Sequence, residues 1–254
     1  MFRPRTKRMI TRVIPQTLRP RWRRSYSQEG EDLVLANMFG DDYRGIYVDI
    51  GAHDPYAWSN TKKLVDRGWR GLNIDPLPGA AERFRRHRPR DSFMEAAIDI
   101  GLGQEIRYWI FEQEPRWNCL SYTEPFVEKD GAVIRPTASR TVPVVSIEDA
   151  VRKQGFAQVD LINLDIEGGE EYILRNWPWD RYAPKVICVE LVGMPAAEIA
   201  DSPLTRFMAS KQMVFTSQLL CSVIYVDRAF LPRLYPADTN HAHFRRLAAF
   251  TPAR

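Results

Sequence analysis

From residue 45 onward, short apolar runs alternate with amphipathic stretches of helical period, and this alternation constrains the fold more than any other feature of the chain. Strands buried on both faces read as continuous apolar runs, and parallel neighbours need helical crossovers between them. The pattern predicts an α/β domain with a doubly wound, mostly parallel sheet. Strands are expected at residues 45–50, 71–75, 92–98, 104–111, 142–145, 160–166 and 185–191. Helices are expected from Ser59, a suitable N-cap, to Gly68, over 79–87, from the Ser146–Asp149 capping box to Gln154, and over 169–176. Residues 214–219 and 222–227 are adjacent apolar segments suited to an antiparallel hairpin at the sheet edge. Residues 112–140 show no period, contain Pro115, Pro125, Gly131 and Pro136, and read as a long irregular insert of functional type.

A chain of 254 residues supports one sizeable core. Its net charge of +4 is unevenly placed: residues 1–24 hold nine of the 36 basic residues and no acid, leaving 27 bases against 32 acids elsewhere. The folded body is therefore acidic, which argues against a nucleic-acid-binding face. The expected organisation is a basic arm over 1–24, one domain over 25–235 and a tail over 236–254. The arm interleaves its cations with Phe2, Met9, Ile10, Val13, Ile14, Leu18 and Trp22, while Pro4, Pro15 and Pro20 break any long helix. It reads as a solvated arm, as a segment lying on an anionic membrane surface, or as one that binds RNA or an acidic partner. No run approaches the roughly 20 apolar residues of a membrane span, and no apolar signal core opens the chain, so a cytoplasmic location is expected, peripheral to a membrane if the arm docks. Cys119, Cys188 and Cys221 form no CxxC pair and suggest neither a zinc site nor a disulfide framework.

The chemistry concentrates at strand ends. Tyr47-Val48-Asp49-Ile50-Gly51-Ala52-His53-Asp54-Pro55 ends a strand in an acid and a glycine, where backbone can approach a ligand. A second strand ends in Asp75, whose carboxylate suits the two hydroxyls of a ribose. Two such acids lay out a nucleoside site, unless both merely cap loops. The G-x-G-x-x-G fingerprint is absent, so a phosphate-free nucleoside fits better than a dinucleotide, and a nicotinamide-dependent oxidoreductase is disfavoured. Glu95-Ala96-Ala97-Ile98 brings small residues to the same edge, with room for an adenine ring or simply for tight packing. Asp165 and Glu167 follow another strand, expected on one side of it by alternation, and Glu190 ends its neighbour. Clustered carboxylates there suit a general base or a divalent cation, though strand-end acids also cap loops. His53 is either a substrate-orienting or a structural histidine. His241 and His243 lack further ligands nearby in sequence, and a metal site is not expected from them.

These blocks resemble the FkbM-type methyltransferases, a branch of the class I S-adenosylmethionine-dependent fold. The resemblance spans about residues 25–227 and rests on ordered blocks: Ser25-Tyr26-Ser27-Gln28-Glu29-Gly30-Glu31-Asp32, Val48-Asp49-Ile50-Gly51-Ala52-His53, Ser59-Asn60-Thr61, Gly68 to Pro76, Val145 to Asp149, Asn163 to Glu170, and Val186 to Glu190. It implies a Rossmann-like fold binding S-adenosylmethionine, with Asp49, Gly51, Ala52 and His53 at the methionine end, Asp75 on the ribose and Ala97 near adenine. It also implies methylation of a hydroxyl on a sugar, glycan or small metabolite; on that reading Asp165, with Glu167 or Glu190, is the expected acid/base or metal-holding set. Trp109, Trp117 and Tyr122 are expected to wall the acceptor pocket. The chain departs from the family pattern at His53, where asparagine is common, and at Asp54-Pro55, where many members have a second glycine. The altered Asp54-Pro55 turn and the basic arm keep open an alternative: a methyltransferase-like binding protein in glycan assembly that no longer turns over.

Overall fold

The computed structural model describes residues 24–101, 105–113, 118–121, 124–166 and 168–234. The elements in chain order begin α1 (Glu31–Phe39), β1 (Ile46–Ile50), α2 (Lys62–Asp66), β2 (Arg70–Ile74), α3 (Ala80–His87), β3 (Ser92–Met94), β4 (Ala97–Ile98) and β5 (Glu105–Ile110). They continue with β6 (Cys119–Ser121), β7 (Val127–Lys129), β8 (Ala132–Ile134), β9 (Ala138–Val145), α4 (Ile147–Arg152), β10 (Leu161–Leu164), α5 (Glu170–Arg175) and α6 (Trp179–Tyr182). The last are β11 (Val186–Glu190), α7 (Ala196–Ala200), α8 (Pro203–Ser210), β12 (Met213–Gln218), β13 (Ser222–Asp227) and α9 (Leu231–Leu234).

Seven strands form the central sheet in the order β12-β13-β11-β10-β1-β2-β3. The five from β11 to β3 run parallel, and the β12–β13 hairpin closes one edge antiparallel to β11. Alternation along the buried strands divides their side chains between two cores. Val48, Ile50, Leu72, Ile74, Ile162 and Leu164 pack with residues of α4, α5, α7 and α8 on one face. Tyr47, Leu161, Val186 and Cys188 pack with α1 and α2 on the other. The doubly wound, mostly parallel architecture expected from the sequence is therefore present, with its C-terminal hairpin.

Two expectations are corrected. The single strand expected over 92–98 is two: β3 pairs with β2 in the central sheet, whereas β4 pairs with β9 in a second sheet of order β4-β9-β5-β6. The insert over 112–140 is not wholly irregular. β5 pairs with β6 and β9, and β7 and β8 form a hairpin whose turn residues Asp130 and Gly131 have φ of 52° and 77°. Asp-Gly at a turn requiring two positive φ values is a strong hairpin signal, present in the sequence but outweighed by the surrounding prolines. The residues of the basic arm before Arg24, and those after 234, lie outside the described residues. No described helix is long and apolar enough to cross a membrane.

At the amino-terminal edge of the sheet, the fully buried carboxylate of Asp160 ties β1, β10 and β11 together. It accepts from the Ile46 amide at 2.9 Å, the Tyr43 hydroxyl at 2.7 Å, Gln158 at 3.0 Å and the Lys185 ammonium. Burial alone would raise its pKa, but Lys185, the Ile46 amide and Tyr43 outweigh burial and hold it below the usual aspartate range. A depressed folded-state pKa contributes stability that is complete above the unfolded aspartate pKa and lost as pH falls through the lowered value. Asp160→Asn is expected to cost about 3 kcal/mol at neutral pH, read from urea unfolding, by leaving Lys185 and the strand ends without their partner. The deficit shrinks on acidification, and a pH-independent difference would contradict this account.

Candidate active site

The winding of the sheet reverses between β1 and β10, because β2 and β3 lie on one side of β1 while β10 and β11 lie on the other. The connections leaving these two strands run to opposite faces, α2 against one core and α5 against the other. A crevice opens between them at the carboxyl ends, where such sheets bind ligands. Gly51 and Asp165 are the first residues past the two strands. Gly51 has φ of 85°, and a Cβ there would fall 1.6 Å from the Asp165 carbonyl oxygen. The glycine expected to admit a ligand is thus first required by the β10 loop itself.

The β1 loop then folds onto β2. The Gly51 and Ala52 amides donate to the Ile74 carbonyl at 2.9 and 3.2 Å. The His53 amide donates to one oxygen of Asp75 at 2.8 Å, and the Leu77 amide to the other at 2.7 Å. These bonds set the plane of the Asp75 carboxylate and leave each oxygen a further lone pair. Burial raises the Asp75 pKa against the pull of both amides. Leu77 packs against Ala52 in one small cluster and against Ala97 in another, so three of the expected cofactor residues surround the loop 75–77. His53 has φ of 48°, a left-handed conformation uncommon for a residue with a side chain, and its ring lies 5.4 Å from that of Trp58. Asp54-Pro55 makes a side-chain-closed turn: the Asp54 carboxylate accepts from the amides of Tyr56 and Ala57 at 2.8 and 2.9 Å. That side chain supplies the turn expected of a second glycine.

On the other side of the crevice, Asp165 and Glu190 end neighbouring strands and are hydrogen-bonded to each other. Burial, then the charges of Glu170, Glu29 and Glu31, raise the Glu190 pKa, while the bond to Asp165 acts in the opposite sense. Glu170 turns back to accept from the Gly168 amide at 2.9 Å. Glu31 accepts from the Ser222 hydroxyl at 3.0 Å and the Glu29 amide at 2.9 Å, and Glu29 accepts from the Cys221 amide at 3.0 Å. Burial and the neighbouring Glu29 push the Cys221 thiol up to about 11. Glu167 lies outside the described residues, as do Trp117, Tyr122, His241 and His243. β10 ends at Leu164, one residue before Asp165. Trp109 is buried in β5, with the Arg107 guanidinium 5.7 Å over its ring. Among the described residues no group of three His, Cys, Asp or Glu side chains is placed to hold a metal ion.

Residues 49–212 match the Methyltransferase FkbM domain family. The chain belongs to the FkbM methyltransferase family. No curated protein matches its sequence. Among solved structures it is similar to the Burkholderia thailandensis 1,6-didemethyltoxoflavin-N1-methyltransferase, bound to 1,6-didemethyltoxoflavin and S-adenosylhomocysteine. That match has 9% identity and a TM-score of 0.41, over 88% of this chain and 83% of that one. It is also similar to the C-terminal domain of precorrin-6Y C5,15-methyltransferase from Rhodobacter capsulatus (11% identity, TM-score 0.39, 77% and 86% covered). A TehB-like methyltransferase from Corynebacterium glutamicum matches at 10% identity and TM-score 0.40, over 88% and 97% of the two chains.

Within the family domain, Asp49 does not face the crevice. Alternation turns it to the α2 side of the sheet, level with Asn73 and Asn163 on the flanking strands. Its oxygens accept from Thr61 at 2.6 Å and Asn163 at 2.8 Å, and it is 2% exposed. Burial raises its pKa against those bonds and the nearby Arg88 charge. Arg88, unremarked in a basic run at the end of α3, is buried and donates to Pro55 O, Ser59, Thr61, Tyr47 and Asn73 at 2.6–3.4 Å. The Ser59-Asn60-Thr61 block, matched earlier without a role, is half of this network.

Arg88→Met is expected to lower stability by about 4 kcal/mol, because it strands five buried acceptors beside Asp49. Arg88→Lys should recover little, since an ammonium cannot span both sides of the network as the guanidinium fork does. Urea unfolding of the two variants checks both statements, and full recovery by lysine would show that charge alone matters.

Proposed function

We propose that this chain transfers a methyl group from S-adenosylmethionine to a hydroxyl oxygen of a neutral sugar, glycan or small metabolite. The observation that carries the reading is the neighbouring Asp165 and Glu190 carboxyls, brought by adjacent strands to the switch-point crevice across from the loop that positions Asp75. The residues present fit the cofactor. Asp75 offers its unused lone pairs to ribose hydroxyls, Ala97 adds no bulk near the base and Ala52 none at the methionine end, and no glycine-rich phosphate cradle is needed. When bound, S-adenosylmethionine supplies a methyl group activated by a sulfonium.

The protein's share of the reaction is positioning and proton removal. An acceptor oxygen held in line behind the methyl group gains much of its rate from orientation alone. As the new C–O bond forms and the C–S bond breaks, the hydroxyl proton passes to the ionised carboxylate of the Asp165–Glu190 pair. Surrounding carboxylates raise the basicity of that pair and also repel anionic acceptors, which favours neutral polyols over phosphorylated ones. A cytoplasmic setting, where the cofactor is made available, fits the same reading.

Calorimetry with S-adenosylmethionine and S-adenosylhomocysteine tests the cofactor site. Micromolar binding weakened at least tenfold by Asp75→Ala is expected, a loss of about 1.4 kcal/mol or more. No binding of either ligand would overturn the reading, and binding without turnover on any acceptor would favour the non-enzymatic alternative. For the chemical step, Asp165→Asn should abolish turnover while sparing cofactor affinity, and full activity would remove Asp165 from the mechanism. The raised Glu190 pKa fixes the sign of the pH profile. The base is unavailable while Glu190 is protonated, so kcat/KM should rise with pH through a pKa above the ordinary glutamate range. Glu190→Gln should displace that limb, and an unmoved limb would assign it elsewhere.

A further inference from the structure

The Arg140 side chain joins the second sheet to the loop that carries Asp75. Arg140 lies on β9, and alternation places it on the same face of that strand as Val142 and Val144. This face meets the loop, because Val142 and Val144 cluster with Leu77 and Ala97. Beyond that apolar contact, a single guanidinium nitrogen makes two bonds. Arg140 Nη2 donates to the Pro76 carbonyl at 2.9 Å and to Glu95 Oε1 at 2.6 Å. Glu95 directly precedes Ala96 and Ala97 in the chain, so one nitrogen holds both the Asp75 loop and the strand at the adenine side. The Arg140 Nε is buried and has no hydrogen-bond partner among the described residues. An unpaired buried donor opposes folding, so it is the Nη2 bonds to Pro76 and Glu95 that fix the guanidinium.

The Pro76 carbonyl and the Leu77 amide are the two ends of one planar peptide. Arg140 holds its oxygen, and its N–H donates to Asp75 at 2.7 Å. In a rigid plane, fixing the direction of the carbonyl fixes the direction of the N–H. A cation on the carbonyl also polarises the peptide and strengthens its N–H as a donor. The second oxygen of Asp75 is held from the other side by the His53 amide. We propose that Arg140 is a positioning residue for the nucleoside half of the cofactor, acting on Asp75 through the Pro76–Leu77 peptide. The proposal rests on the cofactor reading given above. Arg140 is the last residue of the 112–140 insert, so the insert also builds the cofactor side of the crevice. Nothing in the sequence around Arg140 marks this role, since its partners lie 64 and 45 positions earlier in the chain.

The test is a double-mutant cycle on the full-length chain, read by calorimetry with S-adenosylhomocysteine. Arg140→Met keeps the apolar stem and removes both bonds, and should weaken binding about tenfold, the effect of losing a charge-assisted bond that orients the carboxylate. In the Asp75→Ala background the same substitution should cost less than about twofold, because its target is already gone. 5′-Methylthioadenosine shares only the nucleoside half, and its affinity should fall by the same factor as that of S-adenosylhomocysteine. A part-exposed pair contributes little to stability, so the melting temperature should drop by no more than about 3 °C. Unchanged affinity of Arg140→Met, an equal loss with and without Asp75, or a loss confined to S-adenosylhomocysteine would each overturn the proposal. If Arg140→Met does not fold, the cycle is run with Arg140→Lys, whose ammonium ends one bond short of the Nη2 position. Parent-like affinity of that variant would overturn the proposal equally. Failure of the parent protein to bind either ligand would overturn the cofactor reading itself, whereas a binding parent with an indifferent Arg140 variant removes only the role of Arg140.

Discussion

The buried guanidinium of Arg88 is the interaction on which the rest of the site depends. It reaches two carboxylates without touching either: through the Thr61 hydroxyl to Asp49, and through the Tyr47 hydroxyl to Asp91. In a desolvated setting these relays keep the positive charge compensated while every donor finds an acceptor. The same fork holds the Pro55 carbonyl, so the loop between β1 and α2 is anchored to the far end of α3. That anchoring lets His53 persist at a positive φ and deliver its amide to Asp75. Local strain of this kind survives only when the surroundings over-determine it.

The opposite wall of the crevice is organised by the reverse rule. Around Glu190 the neighbours are Asp165, Glu170, Glu29 and Glu31, and no cation is among the influences that shift its pKa. Backbone amides and hydroxyls hold Glu29, Glu31 and Glu170 in place, as at Cys221, Ser222 and Gly168. Such partners orient a carboxylate without neutralising its charge, and the accumulated charge disfavours ionisation of Glu190. A salt bridge at any of these positions would have offset that charge and lowered the Glu190 pKa. The Ser25-to-Asp32 block thus does its work far along the chain, against the β12–β13 turn.

How far the sequence reveals this divides along a physical line. Features governed by local periodicity were legible: the apolar run 46–50, the Ser146 cap that accepts from the Asp149 amide, and the hairpin ending at Asp227. Gly51, Asp75, Asp165 and Glu190 were legible as strand-end residues because the parallel sheet sends all carboxyl ends to one edge. Asp49 was misplaced by a single position: Ile50 is the last residue of β1, and a period of two sends its predecessor into the α2 core. The Arg88 network was invisible because its members are scattered over 47–88 and no pattern in Arg85-Arg86-His87-Arg88 marks which cation turns inward. Only the packing of Phe84 and Arg88 on the inner side of α3 decides it.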